Sequence, residues 1–297
     1  MNRFPAPARP IVDKMLAAAA LDADNAVSFQ GAPGANSHIA IEQACPGALP
    51  IPCFSFEDAI DAVKEGSAAR AMIPLENSLH GRVADIHFLL PESGLQIIGE
   101  HFLPIHYSLM GTGPIEGVKA ALSHPQALGQ CRRWLRARGI QPVQHEDTAG
   151  AAAQVAEMGD PATAALAPPL AAGIYGLETL ESMIADSADN MTRFVILSRD
   201  AAPPPPEGTP TMTTLIFEVK NVPAALYKAM GGFATNGVNM TKLESYQHGG
   251  SFSATEFFAD IDGHPGDPAV ARALDELAFH AKWVRLLGSY PQARPRG

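Results

Sequence analysis

The sequence predicts an α/β protein in two parts, on three observations. Short β-rich runs alternate with helical stretches over residues 26–198, a spacer at 201–210 contains Pro203-Pro204-Pro205-Pro206, and the remainder reads strand, helix, strand, strand, helix, strand. At 297 residues and 46% hydrophobic content, the chain is long enough for about two domains, each with its own core.

Residues 1–24 are alanine-rich with early Pro5, Pro7 and Pro10, and read as an arm or a short surface helix. Strand Ala26–Gln30 then meets the turn Gly31-Ala32-Pro33-Gly34. Ser55 stands ahead of Glu57 and Asp58 as a capping box, and Ala59, Ile60 and Val63 share one helix face before Gly66. A strand follows at 70–74. A second lobe begins near His106 with strands at 106–110 and 119–122. Ser123 and Gln126 predict a second capping box, opening a helix that carries Leu128, Cys131 and Leu135 and ends at Gly139. Helix Thr148–Met158, strand Thr163–Ala167, a helix at 168–175 and a strand at 190–198 complete the alternation. Such units predict open, mostly parallel sheets with a ligand crevice at the strand carboxyl ends. Lobe one spans about 25–105 and 187–200, and lobe two about 106–186.

The proline run makes neither helix nor ladder, so residues 201–211 form a stiff linker. The module at 212–291 contains strand 213–220, helix 223–235, strands 239–247 and 252–262, helix 267–280 and strand 283–290. This βαββαβ order is ferredoxin-like, with Gly249-Gly250 as the hairpin turn between the central strands.

Composition narrows the partners. Net charge is −10 and only 18% of residues are charged, so there is no basic surface for nucleic acid or an anionic membrane. No run reaches the ~18 apolar residues of a membrane span, and the alanine run at 16–21 is too short for a signal peptide, which predicts a cytoplasmic protein. Cys45, Cys53 and Cys131 are an odd count without a C-x-x-C pair, which fits a reducing compartment. The histidines make no H-E-x-x-H and no cluster at zinc spacing; no metal is predicted, and His80/His87 and His101/His106 read as surface or hydrogen-bonding histidines.

Three segments carry candidate chemistry. The run from Pro74 to Val83 sets Glu76, Asn77, Ser78 and His80 between a strand and a helix, either as an ordinary capped turn or as a ligand-bearing loop. Asn190-Met191-Thr192-Arg193-Phe194 enters a strand; Arg193 is either a surface charge or a bidentate fork for a carboxylate. The turn from Gly31 to Asn36 precedes Ser37-His38 at a helix start, where backbone N–H groups attract anions. Neither this turn nor Gly231-Gly232-Phe233-Ala234 is a nucleotide fingerprint.

Taken together, the motifs resemble the prephenate dehydratase family over about residues 26–290. The carriers are Pro74-Leu75-Glu76-Asn77-Ser78 with Gly81 and Val83, Leu103-Pro104-Ile105-His106, the run from Ser123 to Cys131, Thr148-Ala149, and Asn190 to Phe194. Five motifs in order are far more specific than one. The resemblance implies a two-lobed catalytic domain at 25–200, similar to periplasmic solute-binding proteins, and decarboxylating dehydration of prephenate to phenylpyruvate without a cofactor. It implies Thr192 at the leaving hydroxyl, Asn77 and Ser78 as hydrogen-bonding groups and Arg193 on the anionic end. Ser37, Glu76, Gly81, His106, Gln126, Thr148, Asn190 and Phe194 would line the substrate.

The C-terminal module resembles an ACT domain, through Asn221-Val222-Pro223-Ala224-Ala225-Leu226 and the run from Gly237 to Ser245. This implies phenylalanine as feedback inhibitor at a subunit interface of a homodimer or homotetramer, with Asn221, Pro223, Ala224, Ala225, Leu226, Asn239, Glu244 and Ser245 as effector residues. Three departures stand out. Ala224 replaces the family's usual Gly, Tyr246-Gln247 replaces its Arg-Pro, and Ala35-Asn36 stands where Thr-Phe or Thr-Tyr is common. Arogenate dehydratase and a non-catalytic amino-acid sensor are the alternative readings. The first 24 residues are too short for a chorismate mutase segment.

Overall fold

The computed structural model describes residues 3–247 and 254–295. Gly249-Gly250 and Phe252 lie outside them. The N-terminal arm forms a helix, α1 (Arg9–Leu21), with Pro10 in its first turn and Val12 and Ala19 buried. Next come β1 (Ala26–Gln30), α2 (Asn36–Ala44), β2 (Leu49–Cys53), α3 (Phe56–Lys64), β3 (Arg70–Asn77), β4 (Gly81–Arg82), α4 (Ala84–Ser93) and β5 (Gln96–Pro104). Then follow β6 (Ser108–Gly111), β7 (Ala120–Ser123), α5 (Pro125–Gln130), α6 (Arg132–Ala137), β8 (Gln141–Gln144), α7 (Thr148–Met158), β9 (Thr163–Ala167), α8 (Leu170–Tyr175), β10 (Glu178–Glu181) and β11 (Met191–Ser198). The last six elements are β12 (Thr211–Val219), α9 (Ala225–Thr235), β13 (Met240–Gln247), β14 (Ala254–Asp262), α10 (Pro268–His280) and β15 (Ala281–Pro291). No helix among the described residues is long and apolar enough to cross a membrane.

Among the described residues the strands form three sheets. The first has the order β2-β1-β3-β11-β5, with β4 folded back on β3; β2, β1 and β3 are parallel. Strand β2 tolerates Pro50 and Pro52 because it is an edge. The decisive feature is β11, which returns late in the chain to lie between β3 and β5 and so brings residues 190–194 beside residues 76–78. The second sheet, β10-β6-β9-β7-β8, is mixed rather than mostly parallel: β7, β8 and β9 run parallel, while β6 opposes both β9 and β10. Residues 112–119, which join β6 to β7 of the same sheet, hold no α-helical crossover, so nothing forces β6 into the parallel direction.

Local signals explain most boundaries. Ser55 caps α3 as a true capping box, its Oγ accepting from Asp58 N at 3.1 Å while Asp58 accepts from Ser55 N at 3.2 Å. The second predicted box does not form. Ser123 is the last residue of β7 and donates its buried hydroxyl to the Leu166 carbonyl, so the cap passes to His124, whose Nδ1 accepts from Gln126 N at 3.2 Å. The expected single helix also breaks at Cys131 into α5 and α6. Asp186 from a distant segment accepts from the backbone N–H groups of Arg133 (2.9 Å) and Trp134 (3.3 Å) and so caps the second piece. His87, expected as a surface or hydrogen-bonding histidine, is fully buried.

The chain divides into two compact units, residues up to 83 with 101–194, and residues 84–100 with those from 195 onward. In the second unit the C-terminal sheet has the order β13-β14-β12-β15, the second-third-first-fourth arrangement of a ferredoxin-like module. One face packs Leu215, Phe217, Phe257 and Ile261 against Phe233 of α9 and Leu277 of α10. The other face is covered by residues 84–100: His87 lies edge-on to Phe258, and a Cβ at Gly288 would collide with the Ile97 backbone.

Ala224, where the family usually has glycine, sits at φ 60° and ψ 18°, in the left-handed region just before α9. An L-residue there is strained by roughly 1–2 kcal/mol. The Ala224→Gly variant is expected to gain up to about 1 kcal/mol in stability, read as a raised denaturant midpoint, since glycine also costs more chain entropy on folding. A lowered midpoint refutes the strain.

Two histidines make the first unit acid-sensitive. Both use Nδ1 as an acceptor, His38 for Gly34 N at 3.1 Å and His124 for Gln126 N, and burial lowers both pKa values from 6.5, partly offset by Glu42 and Asp147 respectively. The unfolded chain therefore protonates first; this stability is complete above pH 6.5 and is lost as pH falls through 6.5 toward the lowered folded values. Urea midpoints should drop from pH 7.5 to 5.5, and His124→Asn, which keeps a capping acceptor, should flatten part of that drop.

Candidate active site

The site is built on the carboxyl end of β3, its return strand β4 and the entry to β11. Asn77 joins them. Its Oδ1 accepts from the backbone N–H groups of Leu79 (3.0 Å) and His80 (3.1 Å), closing a tight turn and fixing which end of the amide is oxygen. Its Nδ2 is thereby turned to β11, donating to Asn190 Oδ1 (2.7 Å), Thr192 Oγ1 (3.0 Å) and the Met191 carbonyl (3.2 Å). Because the Thr192 oxygen accepts from Asn77, the threonine's own hydrogen stays available to another oxygen.

Ser78 binds the two loops together. Its N–H donates to the Met191 carbonyl (2.8 Å), its Oγ accepts from Met191 N (3.0 Å), and its hydroxyl donates to the Asp189 carbonyl (3.0 Å). The serine proton is thus given to backbone in this structure. Asn190, almost fully buried, donates to Gln130 Oε1 at 2.6 Å, and its carbonyl accepts from Ile105 N at 2.8 Å, which links the hairpin to α5. Arg193 is 2% exposed and donates to Glu76 Oε1 at 2.9 Å, so the guanidinium expected on a substrate carboxylate is ion-paired within the protein. Gly81 lies opposite Asn77 at φ 74°.

The structure therefore brings Glu76, Asn77, Ser78, Gly81, Asn190, Thr192 and Arg193 into one cluster. Phe194 is core, at 1% exposure. The remaining candidates stand on other elements: Ser37 is buried in the first turn of α2, Gln126 is exposed on α5, and Thr148 is the first residue of α7. His106 shares a cavity of about 530 Å³ with Asn36, Ile39, Leu103 and Leu170. Gln130, absent from the expected site residues although it belongs to the run from Ser123 to Cys131, joins the site because the fold places it on Asn190.

Where lobes one and two meet, Gly34 at φ 92° lies so close to α8 that a Cβ would stand 2.9 Å from Ala171 Cα. Tyr175 donates to the Pro33 carbonyl at 2.8 Å in the same contact. Ala35, where the family commonly has threonine, is the N-cap of α2 and has no side-chain oxygen with which to cap it. Asp147 caps α7 through Gly150 N at 2.6 Å; burial raises its carboxyl pKa, opposed by that bond and by His145. Burial pushes the Cys53 and Cys131 thiols up to about 12, so neither is a thiolate nucleophile near neutral pH.

The expected effector residues occupy two elements of the C-terminal module. Asn221 to Leu226 form the β12–α9 junction, and Asn239 to Ser245 run into β13, where Asn239 donates to Asp262 at 2.8 Å. Glu244 pairs with Phe258 and Ser245 with Phe257, so the two side chains face opposite sides of the sheet.

Glu76→Gln removes the charge facing a buried guanidinium. It is expected to destabilise the chain by about 1–3 kcal/mol, measured by urea denaturation, because Glu76 is itself partly exposed. A loss within 0.5 kcal/mol would mean, roughly, a surface-type pair.

Comparison with known proteins agrees with this architecture. The prephenate dehydratase family model matches residues 27–202. A bifunctional N-acyl-homoserine lactone acylase/prephenate dehydratase of Komagataeibacter europaeus is 49% identical over 91% of this chain and 97% of its own. Arogenate dehydratase/prephenate dehydratase 1 of Arabidopsis thaliana is 36% identical over 89% of this chain and 71% of its own. The crystal structure of prephenate dehydratase from Arthrobacter aurescens in complex with L-Phe superposes with a TM-score of 0.82, at 32% identity and 92% coverage of both chains. With the family model covering more than half its length and such relatives along nearly all of it, the chain belongs to the prephenate dehydratase family.

Proposed function

We propose that this chain converts prephenate to phenylpyruvate. The bond to the ring carboxylate breaks to release carbon dioxide, its electron pair becomes a ring double bond and displaces the neighbouring π pair, and the ring hydroxyl leaves with the electron pair of its own C–O bond and takes up a proton as water. Aromatisation drives the step, and the protein supplies orientation and a hydrogen bond to a poor leaving group. The observation carrying this reading is the Asn77–Thr192 bond, which holds the threonine oxygen and leaves its hydrogen for the departing oxygen. Thr192 acts as a neutral donor, its pKa being far too high for a strong acid. Arogenate, with an amine in place of the ketone, is the nearest alternative substrate.

The C-terminal module is read as an ACT domain that binds phenylalanine at a subunit interface, in a homodimer or homotetramer. Its strand order and the L-Phe complex of the A. aurescens relative support this. A second reading rests on the 49% identity to the bifunctional acylase: hydrolysis of the amide of an N-acyl-homoserine lactone to a fatty acid and homoserine lactone.

Purified protein is expected to form phenylpyruvate from prephenate, with arogenate and an N-acyl-homoserine lactone assayed in parallel. Thr192→Val should lower kcat by about 10²-fold, the scale of losing one oxyanion donor. Near-normal turnover in that variant would remove Thr192 from the reaction, and no turnover of prephenate or arogenate by the native chain would refute the dehydratase reading.

A further inference from the structure

Immediately after the Asn77 hairpin, the chain enters α4, and α4 belongs to the same compact unit as the C-terminal module. His87 is the point of attachment. Its side chain is fully buried, stacked on Tyr246 (ring centroids 5.3 Å apart, planes at 28°) and edge-on to Phe258 (5.1 Å, 69°). Its Nε2 stands 3.7 Å from Glu244 Oε2, an electrostatic contact longer than a hydrogen bond. Phe88 adds an edge contact to Tyr246, and Arg285 donates to the Pro91 carbonyl at 2.6 Å at the far end of the helix.

Glu244 is the shared element. Besides His87, its carboxylate faces Lys242 Nζ at 3.2 Å and accepts from the Tyr246 hydroxyl at 3.1 Å. It is also the only acid among the residues expected to hold an amino-acid effector. A carboxylate in such surroundings attracts an α-ammonium group, and moving it toward one changes what it offers His87. Tyr246, present where the family usually has arginine, makes this contact aromatic: its ring carries His87 while its hydroxyl holds Glu244.

We propose that His87 is a positioning residue that couples effector occupancy of the C-terminal module to the catalytic hairpin, through the Glu244–His87 contact and the helix that continues from residues 76–82. This rests on the regulatory reading above and adds the route. The linkage needs no contact beyond those within the second unit, because α4 is covalently continuous with the hairpin. A shift of the helix start by a fraction of an ångström alters the Asn77 turn directly, and a misplaced catalytic group is costly in rate.

His87→Phe keeps an aromatic ring for Tyr246 and Phe258 but removes Nε2; His87→Gln restores a nitrogen donor without the ring. With L-phenylalanine as probe, His87→Phe is expected to keep kcat within about two-fold and to bind phenylalanine calorimetrically within three-fold of the native affinity. The concentration giving half-inhibition should rise at least ten-fold, and His87→Gln should recover part of it. Amide hydrogen exchange over residues 76–93 should respond to phenylalanine in the native chain and not in His87→Phe. Inhibition of His87→Phe equal to native would overturn the coupling, as would loss of phenylalanine binding, which would place His87 in the pocket itself. An active native enzyme indifferent to phenylalanine would overturn it while leaving the dehydratase reading intact. A native chain inactive on prephenate and arogenate would sink that reading alone, and the exchange experiment would still decide the coupling.

Discussion

The carboxamide of Asn77 has one oxygen that accepts and one nitrogen that donates, and both are used. The oxygen closes the turn after β3, and the nitrogen reaches across to Asn190, Met191 and Thr192, more than a hundred residues later in sequence. A charged side chain could not do both, since a carboxylate has no donor and an ammonium no acceptor. The remainder of the cluster depends on this crossing. Ser78 fixes the same two loops through the backbone, and Asn190 passes the constraint to Gln130. The Glu76–Arg193 pair lies one residue further into each strand, where it joins the two strands and pairs a buried cation with a carboxylate.

Such an arrangement suits a reaction driven by aromatisation. In the proposed reaction there is little bond-making to do, and the part assigned to Thr192 is to hold one neutral hydroxyl where a C–O bond lengthens. A threonine whose oxygen is already an acceptor is preorganised for that purpose, with no reorganisation needed at the moment of reaction.

The departures from the family pattern have physical consequences that differ in kind. Ala224 carries its cost in the backbone, at a positive φ, so the added methyl matters through conformation. Ala35 offers no side-chain cap to α2, and the close approach of the neighbouring glycine turn to Ala171 is set by Gly34. Tyr246 converts a position of usual positive charge into a buried aromatic one, and His87 and Phe88 are packed to meet it.

Much of this was legible in the chain itself. Alternating apolar runs determined the α/β class, the proline run and the βαββαβ order determined a ferredoxin-like C-terminal module, and Ser55 with Asp58 determined one helix start, because each depends on neighbours within a few residues. The motif residues Asn77, Ser78, Thr192 and Arg193 were legible through resemblance, but their bonds were not. Only the tertiary structure decided that β11 returns beside β3, that Ser123 spends its hydroxyl on a neighbouring strand and cedes the cap to His124, that Asp186 arrives to cap the second of two helices where one was expected, and that His87 is buried against Tyr246. Each of these joins groups far apart in sequence, and local propensity contains no information about which distant partner will arrive.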